Sequence, residues 1–203
     1  MTATIRSSVP TRGVFDLTYD ELLSTITSYT IRDDAPIESF IRRAETYLRT
    51  VTKHYLAEKS VLLPVVSGTV LLPLDFIEIR VITGKKLYKP VAVQAATLFD
   101  GEIGYYREGN KLVLVGDKPD TTVSLLYWAA FPDLTSSQTN WLFDRHPSVY
   151  VAAILKEFHR WQTNAEGVQI EGQALQEALS IVAEDDRRGR QTGPIIMGAA
   201  TWQ

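Results

Sequence analysis

The chain has 203 residues, of which 45% are apolar and 22% charged, the proportions of an ordinary globular protein. Its formal net charge of −3 gives no overall positive field that would attract nucleic acid. Because there is no cysteine, disulfides, thiolate metal ligands and thiol nucleophiles are excluded. The polar start of the chain, and the lack of any apolar run of about 18 residues, predict neither a signal peptide nor a membrane span.

The first two predicted elements are amphipathic helices. Thr18 and Glu21 have the spacing of a capping box, and Leu17 and Leu22 that of a hydrophobic staple, so one helix is expected to begin here. A second helix is predicted after Pro36, with an apolar stripe and an opposite side that faces solvent or a partner. The stripe is Ile37, Phe40, Ile41, Ala44, Leu48 and Val51, and the opposite side carries Arg42, Arg43, Glu45 and Arg49.

From about residue 60 to 132 the apolar period becomes two, which is typical of strands. Dipeptides that favour tight turns interrupt this region and predict two hairpins. Ser67-Gly68 separates residues 61–66 from 70–72, and Gly109-Asn110 separates residues 104–108 from 111–115. Residues 77–81 alternate as a half-buried strand does, residues 91–99 are expected to form a helical turn or two, and residues 121–131, apolar on both faces, are predicted to be a central strand.

Helical spacing returns at Pro147, after the aromatic block that begins at Asn140. Gly167 is expected to interrupt the chain before a last helix, whose core face is Ala174, Leu175, Ala178, Leu179 and Val182. These elements predict an α+β fold. It consists of an N-terminal extension (1–16), a bundle of about four helices (17–58 and 133–188), an inserted antiparallel β domain (59–132) and an extended C-terminal tail (189–203).

Residue patterns typical of catalysis are absent from the sequence. The three histidines, His54, His146 and His159, do not have the i, i+3 or i, i+4 spacing of a helical metal site, and capping or surface positions are favoured for them. There is no nucleophile elbow and no phosphate-binding glycine loop. Asp75 and Glu78 are expected on opposite faces of one strand, so they would not flank a single bond. No cofactor and no metal are expected.

Two features near the C-terminus point to a partner. Arg187, Arg188 and Arg190 suit a helix C-terminus or a partner contact better than DNA, because three arginines are too few for strong phosphate binding. The apolar residues Ile195, Ile196, Met197 and Trp202 follow in a segment without helical or strand periodicity. An apolar tail of this kind is predicted to dock on another protein.

The order of the parts resembles a known family. Two blocks carry the resemblance: residues 72–80, Leu-Pro-Leu-Asp-Phe-Ile-Glu-Ile-Arg, and residues 139–150, which contain Thr139-Asn140-Trp141-Leu142, His146-Pro147 and Tyr150. With the capped helix before them, they resemble the head-to-tail adaptor (connector) proteins of podovirus-type tailed bacteriophages, from about residue 17 to 190.

The resemblance implies a structural virion protein without catalytic activity. Twelve copies would form a ring beneath the portal protein, extend the DNA channel without binding DNA specifically, and dock the tail tube or nozzle protein. Such a protein is assembled in the host cytoplasm and resides in the neck of the virion. On this resemblance the portal contacts would be Arg187, Arg188, Arg190, Ile195, Ile196, Met197 and Trp202, and the tail-protein contacts Gly84, Lys85, Lys86, Gly109, Asn110 and Lys111.

Two other functions remain open on the sequence alone. One is a hydrolase, carried by a virion or free, that uses scattered carboxylates; amide variants of those carboxylates would test it. The other is a soluble binding module unrelated to phage, which the absence of a neighbouring portal gene would favour.

Overall fold

The computed structural model describes residues 17–32, 34–92, 103–116 and 120–191. This part of the chain contains helices together with antiparallel sheets, which confirms the α+β class. The chain divides into two compact units, which we call the helical unit (within residues 1–47 and 132–179) and the β unit (within residues 48–131 and 180–203).

The described residues form six α-helices, of which four have 12 to 26 residues. They are α1 (Tyr19–Thr30), α2 (Ile37–Val51), α3 (Leu134–Ser137), α4 (Trp141–Arg145), α5 (Pro147–Trp161) and α6 (Ala165–Arg190), and a 3₁₀ helix covers Tyr55–Ala57. The predicted starts of α1 and α5 are confirmed. Thr18 and Glu21 form a reciprocal capping box on α1, and Pro147 occupies the first turn of α5, where its missing N–H has no intrahelical partner to lose.

The apolar stripe of α2 forms part of the core, but one residue assigned to the opposite side does not face solvent. Phe40, Ile41 and Ala44 are buried as predicted, whereas Glu45, expected on the solvated side, is fully buried. Glu45 follows Ile41 by four residues, and this spacing places it on the buried face of the helix. The prediction for Glu45 was therefore wrong. Val51, expected in the stripe, is largely exposed.

The predicted break at Gly167 is also wrong, because Gly167 lies within the first turn of α6. The chain turns earlier, at Thr163, whose φ is 56°, and the Asn164 side chain accepts a hydrogen bond from Gly167 N at 3.1 Å. A Cβ atom at position 167 would lie 2.5 Å from the His159 ring. Glycine is required here for close packing, and it does not end a helix.

The described residues of the β unit form seven strands in two sheets. The strands are β1 (Glu58–Pro64), β2 (Thr69–Leu71), β3 (Phe76–Thr83), β4 (Lys89–Pro90), β5 (Gly104–Glu108), β6 (Lys111–Val115) and β7 (Thr122–Ala129). One sheet has the order β1-β7-β3 and the other β2-β6-β5-β4. β7 is the central strand of the first sheet, as predicted, and only the β4–β5 pair is parallel among the described strands. Residues from both sheets form one apolar core, which includes Val70, Ile82, Leu112, Leu125 and Tyr127.

The two predicted hairpins differ in outcome. β5 and β6 pair through Gly109-Asn110 with the predicted bounds. At Ser67-Gly68 the tight turn forms, with φ values of 50° and 75°, but the flanking strands join different sheets. The Val65 N–H donates to Thr121 O, beside β7, so a backbone N–H at position 64 would point to the opposite edge of β1. Because residue 64 is proline, it has no N–H with which to pair a second strand at that edge.

The end of the last helix differs from the predicted start of the tail. α6 continues through Arg190, so residues 189 and 190 are helical and not extended. Residues 192–203 lie outside the described residues, as do residues 93–99 of the predicted helical turn.

Candidate docking surfaces

The arginine cluster occupies the last turn of α6, as expected for cations at a helix C-terminus. Arg187 and Arg188 both bind the carboxylate of Glu184, at 2.7 and 2.8 Å, and their side chains are exposed. Hydrogen bonds from Arg187 and then Arg188 lower the pKa of Glu184 to about 2. Because solvent screens these pairs, they contribute little to stability, and both guanidinium groups face solvent at the end of the helix.

Arg190 has a different environment, because it anchors the helix end to the β unit. It lies 2.5 Å from Glu58 of β1 and 2.8 Å from Asp186. Asp186 in turn accepts a hydrogen bond from the backbone N–H of Tyr55 at 2.6 Å. Burial raises the pKa of Asp186, but the bonds from Arg190 and Tyr55 outweigh it and hold the pKa below its usual value. Only two of the three predicted arginines are thus available to a partner.

The face of the β1-β7-β3 sheet that carries Glu58 also carries a charged cluster around Trp128. Arg80 lies 4.8 Å and Lys53 5.1 Å from the Trp128 ring, distances at which a cation is attracted by an aromatic face. Arg80 also pairs with Glu58, and Lys53 with Glu78. Glu78 and Arg80 of the sequence block 72–80 therefore link the strand to neighbouring elements.

Asp75, in the same sequence block, accepts hydrogen bonds from two neighbouring side chains. It lies 2.5 Å from Lys59 Nζ and accepts a bond from the Tyr127 hydroxyl at 2.9 Å. Burial raises the pKa of Asp75, and the bonds from Lys59 and Tyr127 more than offset this, so the pKa is lowered. Burial, together with the carboxylate of Asp75, raises the pKa of Tyr127 to about 12. The chemistry of this carboxylate is that of a structural anchor.

The turn at residues 84–86 is fixed by Asp120. Its carboxylate accepts bonds from the Lys85 backbone N–H at 3.0 Å and from the Tyr88 hydroxyl at 3.1 Å. A Cβ atom on Gly84 would lie 1.9 Å from the same carboxylate, so this turn requires glycine. Lys85 and Lys86 are exposed. The turn is therefore rigid in its backbone and presents two cations.

The β5–β6 turn is the second predicted tail contact. Gly109 has a φ of 61°, and its carbonyl accepts a bond from Arg107 at 2.9 Å. Asn110 O accepts a bond from Leu72 N at 2.9 Å, and Lys111 pairs with Glu108 at 3.2 Å. No side chain from these residues reaches a core, since all are exposed or half-buried.

The two turns lie at opposite ends of the strands. Arg107, which donates a hydrogen bond to Gly109 O, covers the ring of Phe76, the first residue of β3, whereas Gly84 follows the last residue of β3. Eight residues of strand between Phe76 and Gly84 correspond to roughly 25 Å. The structure does not bring the two predicted contacts together on one surface.

In the helical unit, the sequence block 139–150 forms a buried polar cluster. Asn140 caps α4 by accepting a bond from Phe143 N at 3.0 Å, and its amide donates to Pro132 O at 3.1 Å and to the Tyr150 hydroxyl at 2.8 Å. Glu45 accepts a bond from Leu134 N at 2.8 Å and from the Tyr150 hydroxyl at 3.4 Å. The sequence analysis missed Glu45, although its spacing from Ile41 and Leu48 was the available signal. This cluster fixes the path of the chain where it returns to the helical unit.

The family of SU10 adaptor proteins matches residues 17–198. The chain belongs to this family. The match contains both sequence blocks, and it confirms the resemblance to phage head-to-tail adaptors on which the functional expectation rested. No curated protein matches the chain.

Family membership establishes the adaptor as a structural component of a tailed phage. It sets aside the soluble binding module unrelated to phage, and it gives no support to the hydrolase alternative. Within the described residues, no helix is both long and apolar enough to cross a membrane. The residues matched by the family have structural roles in the described part of the chain: Asn140, Tyr150 and Asp75 are buried or partly buried acceptors and donors.

Proposed function

We propose that the adaptor forms a ring of twelve copies beneath the portal protein, extends the DNA channel and docks the tail tube or nozzle protein. Membership in the SU10 adaptor protein family is the observation that carries this proposal. The net charge of −3 supports it, because a strongly basic channel would hold DNA that has to pass. In this proposal, DNA passes without specific binding and the copies contact one another head to tail.

The proposed portal contact is the end of α6 with the segment that follows it. Arg187 and Arg188 are exposed, and the segment 192–203 contains Ile195, Ile196, Met197 and Trp202. Arg190 was also predicted as a portal contact, but its bonds to Glu58 and Asp186 favour a role in holding the helix end. A fixed helix end would give the tail a defined starting point toward the portal.

The proposed tail-protein contacts are the two turns, at residues 84–86 and 109–111. They lie at opposite ends of strands that are roughly 25 Å long, so each can be changed without disturbing the other. Lys85 and Lys86 at one end, and Lys111 at the other, provide charge-reversal positions that test the two turns separately. A turn whose reversal leaves binding of the tail protein unchanged is not a contact.

Electron microscopy of the adaptor mixed with the portal protein of the same phage tests the proposal. A twelve-fold ring on the portal is expected. A protein that stays monomeric and does not bind the portal would contradict the proposal. Removing residues 191–203 is expected to leave the fold intact and abolish portal binding. Arg187→Ala with Arg188→Ala is a second test: it leaves the Arg190 anchor in place and is expected to weaken portal binding without loss of stability.

A further inference from the structure

A groove of about 700 Å³ lies in the helical unit between the second half of α1 and the start of α2. Its walls include Leu23, Thr27, Ala35, Pro36, Ile37 and Arg42. Ile31, at the C-cap of α1 and one turn after Thr27, is 90% exposed. Large apolar side chains that are exposed beside a groove are typical of a protein contact surface.

A second apolar surface lies on α6 and is formed by different residues. α6 buries Leu175 and Ala178 but leaves Ile170 56% exposed. Ala174, one turn further along, is also exposed, so its prediction on the core face was wrong. Residues four apart on a helix share one face, so Ile170 and Ala174 form a stripe. Glu166, one turn before Ile170, adds a carboxylate to the same face.

The charges beside the two surfaces are complementary in their excess. Arg42 and Glu38 both line the groove and Arg43 follows Arg42; all three are exposed, so the groove carries one more arginine than carboxylate. Among the described residues Arg42 has no ion pair, whereas Arg32 nearby is engaged by Asp34 at 2.8 Å. Glu166 gives the α6 stripe the complementary charge. Complementary charges of this kind set the orientation of a contact more than its strength.

We propose that the α1–α2 groove of one copy receives the Ile170–Ala174 stripe of α6 from the next copy. The inference rests on the proposed ring and names the surfaces that build it. Because the groove and the stripe are different surfaces, the contact is head to tail, the type that closes into a ring by rotation. A contact between two identical surfaces would instead stop at a dimer.

The natural absence of cysteine allows a direct test by disulfide trapping. Thr27→Cys places a thiol in the groove, and Ala174→Cys places one in the stripe; both positions are exposed. When the two single variants are mixed and oxidised, a 27–174 heterodimer is expected. A chain that carries both changes is expected to give a ladder of linked oligomers.

The matched control replaces the groove position by Lys86→Cys, an exposed site in the β unit. The 27–174 yield is expected to exceed the 86–174 yield at least about tenfold, since bound surfaces hold the two thiols at a high effective concentration. Arg42→Glu is expected to lower the 27–174 yield, and combining it with Glu166→Arg in the partner chain is expected to restore it.

The outcomes separate this contact from the proposed function. Portal-bound rings with a 27–174 yield no higher than the control overturn the groove-to-stripe contact and leave the adaptor role intact. A specific 27–174 link in a protein that ignores the portal supports the contact and overturns the ring beneath the portal. Neither a link nor a ring overturns both.

Discussion

Replacing Asn140 by alanine tests whether the block 139–150 has a structural role in the adaptor. The Asn140 side chain is 5% exposed and makes three hydrogen bonds at once. It caps α4 at Phe143 N, and its amide donates to Pro132 O and to the Tyr150 hydroxyl. Alanine removes all three, whereas serine keeps a hydroxyl oxygen that can still cap the helix.

The expected loss follows from these bonds. Loss of an N-cap costs about 1 kcal/mol. Each of the two groups that lose a buried donor contributes about 1 kcal/mol more. Asn140→Ala is therefore expected to lower the free energy of unfolding by about 3 kcal/mol, and Asn140→Ser by about 2 kcal/mol, because its cap survives.

Urea unfolding followed by circular dichroism measures this difference. With a urea dependence of about 2 kcal/mol per molar, the midpoint of Asn140→Ala should fall by about 1.5 M. Thr139→Ala is the control, since Thr139 is exposed and its hydroxyl bonds only to exposed Asp144. If Asn140→Ala shifts the midpoint no more than Thr139→Ala does, the buried cluster does not stabilise the helical unit, and the structural interpretation of the block fails.

Three further changes test other parts of the structure. Gly84→Ala should displace the Asp120 carboxylate and disorder the 84–86 turn, seen as faster hydrogen exchange there; unchanged exchange would contradict the close approach. Gly172→Ala adds a Cβ that meets nothing nearer than 3.9 Å, so it should stabilise α6 by about 0.5–1 kcal/mol. Gly189→Ala adds a Cβ 2.1 Å from a tyrosine ring carbon, so it should destabilise α6. Thermal melts of the two variants measure both effects. The raised pKa of Tyr127 means that stability is full below the unfolded pKa of 10.0 and falls as pH rises toward about 12. Tyr127→Phe should flatten that fall in unfolding measured across this pH window.

Local signals predicted the elements whose stability is local. The capping box of α1 and the proline start of α5 depend on residues within one helical turn, and both are confirmed. The β5–β6 hairpin is set by Gly109, whose positive φ suits the turn, and by the alternation on each side. In each case the groups that satisfy the backbone are neighbours in sequence, so the local sequence is sufficient to predict the element.

Partners distant in sequence account for the errors. Glu45 looked solvated because it is charged, but the groups that donate hydrogen bonds to it are the Leu134 backbone N–H and the Tyr150 hydroxyl. Gly167 looked like a helix breaker, but it accommodates the ring of His159. At Ser67-Gly68 the turn was right and the flanking pair Val66–Thr69 forms, but the pairing does not continue because the strand that follows pairs with β6. Helix periodicity and turn propensity contain no information on such distant partners.

For the candidate contacts, the sequence located the charged and apolar residues, but it did not show which of them are accessible to a partner protein. Arg187, Arg188 and Arg190 look equivalent in the sequence, yet Arg190 is engaged by Glu58, which lies more than a hundred positions earlier. The turns at residues 84–86 and 109–111 look like two parts of one surface until the strand order shows them at opposite ends. Which groups remain free for a partner is decided by the fold.

The anchor at Arg190 also determines how far a tail contact can extend. Arg190 and Asp186 hold the end of α6 to Glu58 and to the Tyr55 backbone, so Gln191 starts from a fixed position on the β unit. The twelve residues 192–203 can span at most about 40 Å when fully extended. A partner surface contacted by Trp202 must therefore lie within that distance of the helix end. Glu58→Gln together with Asp186→Asn removes both charged partners of Arg190 and weakens the anchor. Portal binding should then weaken because the tail no longer starts from a fixed position, although no residue of the tail has changed.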